Sequence, residues 1–185
     1  VRSPTGDYVQ WSTNVAHFYP FMGRRTPGPT PFIAGANMGF TRSCFDKLGG
    51  FEPGRRMAAD MEMLLRARRA GQEAWFVPDA AILHKPARHD LVCSLAYSIE
   101  HAETTICLRR RFRDVLGTPC VLRSRALLAL LAPGIAAKVT ADIYLRHRRW
   151  RDLWPTLPLV YAHKVAWCVG AIRGLTRRRK EDGGA

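Results

Sequence analysis

Residues 32–84 decide the fold, and they read FIAGANMGFTRSCFDKLGGFEPGRRMAADMEMLLRARRAGQEAWFVPDAAILH. The run 32–40 is apolar and rich in small residues, which is typical of a buried strand. A helix is predicted over 58–70, because its apolar residues recur at helical spacing and arginines fill its last turn. Two short strands are predicted over 73–77 and 80–84, so the stretch combines strands with helices.

The flanking segments have a different character. Residues 1–31 are rich in Gly and Pro, which predicts an extended or looping segment. Residues 91–113 form a predicted amphipathic helix. Its predicted apolar face consists of Val92, Leu95, Ala96, Ile99, Ala102 and Ile106. Beyond Gly117 the pattern is helical, with breaks predicted near Pro133 and over 155–158.

Composition places the chain among globular proteins and gives it an unusual charge. Of its 185 residues 47% are hydrophobic and 24% charged, which excludes a disordered or fibrous chain. Five widely spaced cysteines without a CxxC pair argue against a disulfide framework or a zinc site. Lys and Arg number 29 against 15 Asp and Glu, a net charge of +14. Most of this excess lies beyond residue 90, and it indicates an anionic partner.

Two apolar segments, 126–137 and 153–172, are too short and too charged to be predicted as membrane spans. They are consistent with helices lying on a bilayer surface and equally with buried core helices. The basic runs 109–113, 146–151 and 177–180 lie beside them and favour an anionic membrane surface. The sequence has no RNP-type strand, helix-turn-helix or zinc motif, so we expect no nucleic-acid partner.

The central stretch resembles the C-terminal half of the catalytic domain of family 2 glycosyltransferases, inverting enzymes of the GT-A type. The resemblance is carried by GANMGFTR at 35–42, FDKLGGF at 45–51, ADMEMLLRA at 59–67, AG at 70–71, and VPDA at 77–80 followed by His84. It implies an α/β fold. Residues 1–90 would form the acceptor-side part of a GT-A domain, a nucleotide-diphospho-sugar transferase-like half-domain. Residues 91–185 would form a mostly helical, basic region able to associate with a membrane.

The resemblance also implies an activity, the transfer of a sugar from a nucleotide-sugar donor to an acceptor hydroxyl with inversion. Such a transfer needs a carboxylate that takes the proton of the attacking hydroxyl. The resemblance places this general base at Asp60, where the start of a helix stabilises an ionised carboxylate. The alternative is an ordinary acid in the first turn of a helix. Glu62 is not paired with Asp60, because side chains two residues apart lie about 200° apart around a helix.

Further site residues follow from the same resemblance. Gly35 and Asn37 would line the pocket for the donor sugar and the acceptor, and Arg55 and Arg56 would lie in a loop closing over diphosphate. His84 is a candidate ligand for the metal, Mg²⁺ or Mn²⁺, or for the diphosphate. The alternatives are a satisfied Asn in a buried strand, a solvated arginine pair and a structural histidine.

Two departures from the family pattern bear on activity. Ala59 stands where the family has Glu before the base, and no DxD motif for the metal occurs in the chain. We therefore expect the donor-binding half to be missing and the chain alone to transfer no sugar. The expected acceptor is a carbohydrate or a lipid-linked molecule, and the expected location is the cytoplasmic face of the membrane. The alternative function is a non-catalytic peripheral membrane-binding module built on a degenerate glycosyltransferase fragment.

Overall fold

The computed structural model describes residues 3, 6–22, 26–146 and 150–176, and these are 65% helical. Its elements, in chain order, are α1 (Tyr8–Phe18), β1 (Gly28–Pro29), α2 (Arg42–Lys47), α3 (Ala59–Arg69), β2 (Trp75–Phe76), α4 (Leu91–Arg111), α5 (Arg125–Arg146), α6 (Trp150–Leu153) and α7 (Leu157–Thr176). The two strands pair antiparallel, with Gly28 opposite Phe76. The described part of the chain is thus mostly helical with one two-stranded sheet.

Helices α3 and α4 confirm the helices predicted over 58–70 and 91–113, and a further short helix, α2, precedes them. The Thr41 hydroxyl caps α2 by accepting a hydrogen bond from the Cys44 N–H, and Gly49 follows the helix with a φ of 75°. Three arginines occupy the last turn of α3, and Gly71 follows it with a φ of 73°. Local capping and dipole signals therefore determine these helices.

The strand predictions were wrong for most of their length. Within 32–40 the chain forms a 3₁₀ turn at Gly35–Asn37, the predicted strand 73–77 shrinks to Trp75–Phe76, and 80–84 retains a single bridge residue, Leu83. The Gly35 N–H donates to the side chain of Asp60 rather than to a neighbouring strand. The backbone there is thus satisfied by a carboxylate, which removes the need for a ladder partner.

The first segment was also predicted wrongly, because it contains helix α1. Asp7 caps this helix, its carboxylate accepting a hydrogen bond from the Gln10 N–H at 2.9 Å. The buried face of α1 is largely polar, and Gln10, Ser12, Thr13 and Asn14 are all at most 6% exposed. A polar buried face carries no apolar periodicity, so the helix leaves little trace in the sequence.

Helix α7 is the centre of the helical layer and packs on α1, α4 and α5. One apolar cluster joins α1, α5, α6 and α7 around Val15, Ile143 and Val160. A second cluster joins α4, α5 and α7 around Ile106 and Leu128. Helix α3 is attached to this layer through Leu65, Leu108 and Phe112. The layer thereby fixes the start of α3, where the candidate site lies.

Two predictions about the helical layer need correction. The break predicted near Pro133 is absent, and α5 continues through Pro133, which is exposed on the surface of the helix. The predicted apolar face of α4 is also wrong in its first half. Val92 is 76% exposed, whereas Ser94 and Ser98 are fully buried. These serines are buried because they hydrogen-bond to His163 of α7.

Candidate functional site

Asp60 lies in the first turn of α3, half-buried, with both carboxylate oxygens hydrogen-bonded. Its Oδ2 accepts from the Gly35 N–H at 2.8 Å, and its Oδ1 accepts from the Met61 N–H at 2.8 Å. Each carboxylate oxygen has a further lone-pair direction beyond the bond it makes here. The arrangement orients a carboxylate in the field of a helix N-terminus and leaves it able to accept a proton.

The backbone around Asp60 is tightly constrained. A Cβ at Gly35 would lie 2.6 Å from the Asp60 Cβ and 2.9 Å from its Oδ2, so any side chain there displaces the carboxylate. Ala58, which precedes α3, has a φ of 54° and thus a left-handed conformation that is uncommon for a residue with a Cβ. Strain of this kind concentrates at functional sites.

The two arginines of the preceding loop have different surroundings. Arg55 is half-buried and donates to Glu52 at 2.7 Å, and Arg111 of α4 reaches the same carboxylate at 3.2 Å. Hydrogen bonds from Arg55 and Arg111 lower the pKa of Glu52. Arg56 is exposed and has no ion-pair partner among the described residues. Glu52 therefore ties the loop to α4 through Arg111 and holds Arg55 within the loop, whereas Arg56 remains available to a ligand.

A groove runs between the loop 52–57 and α4, and we call it the Arg56 groove. It consists of two cavities of about 370 and 390 Å³ that share Arg56, Met57 and Glu100. Arg88 and Tyr97 line the first cavity, and the Arg88 guanidinium stacks 3.7 Å from the centre of the Tyr97 ring. Burial raises the pKa of Tyr97, and the negative charges of Asp60 and Glu100 act in the same direction. Asp60 is thus electrostatically coupled to a residue that lines the groove.

Asn37 supports the turn that carries Gly35. It is exposed, and its Nδ2 donates to the Ala80 carbonyl at 2.5 Å. This bond connects the 3₁₀ turn to the segment that follows β2. The structure therefore brings Gly35 and Asp60 into contact and places Asn37 two residues away from that contact, in a turn rather than a strand.

His84 is anchored to α1. Its Nδ1 hydrogen-bonds to the Asn14 side-chain oxygen at 2.8 Å, and its ring lies 4.6 Å from that of Phe18. Burial lowers the pKa of His84, and the nearby Arg88 lowers it further. Across the described residues, no group of three His, Cys, Asp or Glu side chains is arranged to hold a metal ion. These residues do not by themselves fit a Mg²⁺ or Mn²⁺ site at His84.

Glu62 faces away from Asp60 and stabilises the turn before the site. It is 1% exposed and forms an ion pair with Arg66 at 2.8 Å. The Arg66 guanidinium also donates to the carbonyls of Leu48 and Gly50. The pair therefore fixes α3 to the glycine turn after α2.

Sequence reasoning missed the α4 side of the groove. Cys93, Tyr97, Glu100 and Thr104 recur at intervals of three or four, so they share one helix face. This periodicity is present in the sequence, but the face of α4 was predicted from its apolar residues, which gave no reason to single out these four. The neighbour of that face, the loop 52–57, is far away in the chain.

The chain matches no family model, no curated protein and no solved structure. The features of the chain that bear on function are therefore the motifs of residues 32–84 and the geometry around Asp60. Two observations stand out there. A carboxylate is oriented by two backbone N–H groups. Beside it lies a groove with two arginines that have no ion-pair partner among the described residues.

Proposed function

We propose that the chain is the acceptor-side part of an inverting glycosyltransferase resembling family 2, with Asp60 as the general base. In fold terms, residues 1–90 would be a partial GT-A half-domain and residues 91–185 its helical C-terminal extension. The observation that carries this proposal is the oriented carboxylate of Asp60, held by the N–H groups of Gly35 and Met61 at the start of α3. The order of the family-like motifs supports it independently.

Asp60 performs the proton transfer in this reaction. The acceptor hydroxyl donates its proton to the free lone pair of Asp60 while its oxygen attacks the anomeric carbon. The bond between that carbon and the donor's diphosphate breaks, and the diphosphate leaves with the bonding electrons. Because attack and departure occur on opposite faces of the sugar, the configuration inverts. The two backbone hydrogen bonds hold the carboxylate in position throughout, which is the main contribution of a preorganised base.

The nucleotide-sugar donor would bind chiefly to a second, donor-binding half. A Mg²⁺ or Mn²⁺ ion, when bound, would neutralise charge on the donor diphosphate. Since the described residues do not fit a metal site by themselves, we assign no step to the ion. Gly35 and Asn37 would bound the sugar pocket, and Arg56 would face the substrates from the loop.

The test replaces Asp60 by Asn and measures sugar transfer from nucleotide donors. We expect no transfer by the chain alone, and transfer by the chain extended through its upstream coding sequence. In the extended protein, Asp60→Asn should lower turnover by about 10³-fold or more and leave donor binding nearly unchanged. Asp46→Asn is the matched control, because Asp46 is an exposed carboxylate that pairs with Arg42 on α2.

Three outcomes would contradict this proposal. Undiminished turnover in Asp60→Asn would remove Asp60 from the role of base. Absence of transfer in the extended protein with every nucleotide sugar tried would remove the enzymatic function itself. Equal losses in Asp60→Asn and Asp46→Asn would mean that the effect is structural.

A second function, peripheral membrane binding, is favoured by the surface of α5. Contrary to the expectation from segment 126–137, the longer helix α5 in the described part of the chain is long and apolar enough to cross a bilayer by length and composition. Only 22% of its most apolar stretch is buried. Leu130 is 77% exposed and Leu145 81% exposed. Segment 153–172, the other candidate for membrane contact, lies mainly within the core helix α7. We propose that α5 lies on the cytoplasmic face of an anionic membrane, beside the basic runs, of which 147–149 and 177–180 lie outside the described residues.

Co-sedimentation with phospholipid vesicles tests this second function. Binding should rise with the fraction of anionic lipid and fall as salt is added, because arginines contribute about 1 kcal/mol each near such a surface. Vesicles of zwitterionic lipid provide the control. Binding that is independent of lipid charge, or no binding at all, would contradict the proposal.

A further inference from the structure

We propose that the Arg56 groove binds a phosphate group carried by the acceptor, so that the acceptor is a phosphorylated sugar or a lipid phosphate. This inference rests on the proposed transferase function and adds the chemical class of the acceptor. It is derived from the charges of the groove and from its position beside Asp60.

The arginines around the site divide into paired and unpaired ones. Arg42, Arg55, Arg66, Arg69 and Arg111 each pair with a carboxylate. Arg56 and Arg88, the arginines that line the first cavity, have no such partner among the described residues. Among the residues lining the cavities, Glu100 is the one carboxylate that pairs with no described cation. Its single negative charge is smaller than the combined charge of Arg56 and Arg88, so the groove keeps a net positive charge. Unpaired cations in a concave surface favour an anionic ligand.

Arg88 is held in a geometry suited to an oxyanion. Its guanidinium stacks on Tyr97 at 3.7 Å, so the ring occupies one face of the group and the N–H donors at its edge remain available. Stacking also restricts the side chain before any ligand arrives, which lowers the entropy lost on binding. A planar fork of N–H donors matches the oxygens of a phosphate better than a single hydroxyl does.

The position and size of the groove indicate the acceptor rather than a distant ligand. Arg56 and Met57, which line both cavities, lie four and three residues before Asp60 in the chain, so a molecule in the groove lies next to the segment that carries the base. The first cavity, about 370 Å³, lies within the range that accommodates a small ligand of sugar-phosphate size. A phosphate at Arg56 and Arg88 would then leave the rest of the acceptor free to present a hydroxyl to Asp60.

Cysteine alkylation provides a test that needs no catalysis. Cys93 is exposed and lines the groove, whereas Cys120 is exposed and is not among the lining residues. We expect saturating glucose 6-phosphate to slow alkylation of Cys93 at least about tenfold, as measured by peptide mass spectrometry, and to leave the rate at Cys120 unchanged. Glucose at the same concentration should protect neither thiol.

Arginine variants identify the groups responsible. Arg56→Ala and Arg88→Gln should each weaken protection about tenfold, the loss expected for one charge-assisted hydrogen bond. Arg88→Lys retains the charge without the planar fork and should recover part of the affinity. Arg42→Ala is the control, because Arg42 is exposed and pairs with Asp46 outside the groove. Circular dichroism verifies that each variant is folded.

The source of the phosphate is distinguished in a second arm. Protection by vesicles containing phosphatidic acid, without protection by glucose 6-phosphate, would assign the site to a lipid phosphate and support the inference in that form. Stronger protection by pyrophosphate than by either phosphate monoester would assign the arginines to the donor diphosphate and overturn the inference. Protection by glucose, or by no probe, would overturn it too.

The two proposals fail in different ways. If protection is absent while Asp60-dependent transfer to an uncharged acceptor occurs, the phosphate inference falls and the transferase stands. If protection occurs and depends on both groove arginines while the extended protein transfers no sugar, the groove is an anion site and the transferase function falls.

Discussion

Helices α5 and α7 have similar lengths and similarly apolar sequences, but α7 is surrounded by other helices, whereas α5 contributes to the apolar clusters and keeps most of its apolar stretch exposed. Helix α7 packs on α1, α4 and α5. In α5, by contrast, only 22% of the most apolar stretch of 18 residues is buried. The sequence left both segments with the same two interpretations, core helix or membrane-surface helix. The structure gives α7 the first environment and leaves α5 open to the second. Mean apolarity therefore does not decide which helix enters the core.

The difference lies in small residues and polar anchors at specific positions of α7. Gly170 and Gly174 face the backbone of α4, so the two helices approach closely. Seven residues before Gly170, His163 is buried, and its ring nitrogens hydrogen-bond to the Ser98 hydroxyl at 2.7 Å and to the Ser94 hydroxyl at 3.2 Å. Helix α5 has a glycine too, Gly134, but no atom lies within 4 Å of the position a Cβ would take. Close packing and specific hydrogen bonds thus select α7 for the core.

The largest expected effect comes from adding one methyl group to α7. Gly170→Ala places a Cβ in overlap with the Ile99 carbonyl oxygen, which is backbone and moves only with α4 itself. We expect the free energy of unfolding to fall by about 3 kcal/mol, the upper range for overpacking. Denaturant unfolding followed by circular dichroism measures this.

Gly134→Ala is the matched control on α5. Its new Cβ meets no neighbour, so the gain in helix propensity should raise stability by about 0.5–1 kcal/mol. Opposite signs for the two Gly→Ala changes are the expected result. Similar effects at both positions would mean that α4 and α7 do not approach as closely as described.

The polar anchor of α7 predicts loss of stability in acid. Burial lowers the pKa of His163 to about 4 and that of His17 well below its ordinary value, with Lys164, His101 and Arg88 adding repulsion at His17. An unfolded histidine titrates near 6.5, so between about pH 6.5 and 4 the unfolded chain binds more protons than the folded one. Stability should therefore fall as pH falls through this window, by up to about 3 kcal/mol from His163.

The variant His163→Gln isolates this contribution. It removes the titrating group and retains a side chain able to hydrogen-bond. Although the variant starts from lower stability, its unfolding free energy should depend less steeply on pH between 6.5 and 4. An unchanged slope in His163→Gln would assign the acid sensitivity to other groups, and His17→Gln would then be compared in the same way.

The candidate site shows where sequence reasoning succeeds and where it stops. Asp60 and Gly35 are 25 residues apart, yet the motifs that contain them predicted a shared site, and the structure joins them by a hydrogen bond. Arg55 and Arg56 are equivalent in the sequence, but in the structure their roles differ because Arg55 forms an ion pair with Glu52. Tyr97 lines the groove only because α4 packs beside the loop 52–57, which is distant from it in the chain. Motifs specify local chemistry, whereas pairing between distant segments is settled by packing.

The same limit explains the missed helix α1. Thr13 hydrogen-bonds to Ser94 at 2.6 Å, and Asn14 donates to the His84 carbonyl at 2.9 Å. Both partners lie at least 70 residues away in the chain. A helix with buried polar side chains is stable without an amphipathic pattern when groups from distant parts of the chain hydrogen-bond to those side chains. Elements with local signals, such as α3, were predictable, and α1 was not.

The smallest expected effect on stability, and a decisive one for α5, comes from its exposed leucines. Leu130→Glu on α5 and Val92→Glu on α4 alter residues of nearly equal exposure, 77% and 76%, and change the net charge equally. Both should shift the free energy of unfolding by less than about 0.5 kcal/mol, because neither side chain is buried.

Binding to anionic vesicles should nevertheless fall about tenfold or more in Leu130→Glu, since an inserted leucine contributes about 1.5–3 kcal/mol. Val92→Glu should bind nearly as the unmodified chain does. Equal losses would attribute vesicle binding to charge alone, and the difference between α5 and α7 would then reflect packing without a membrane role.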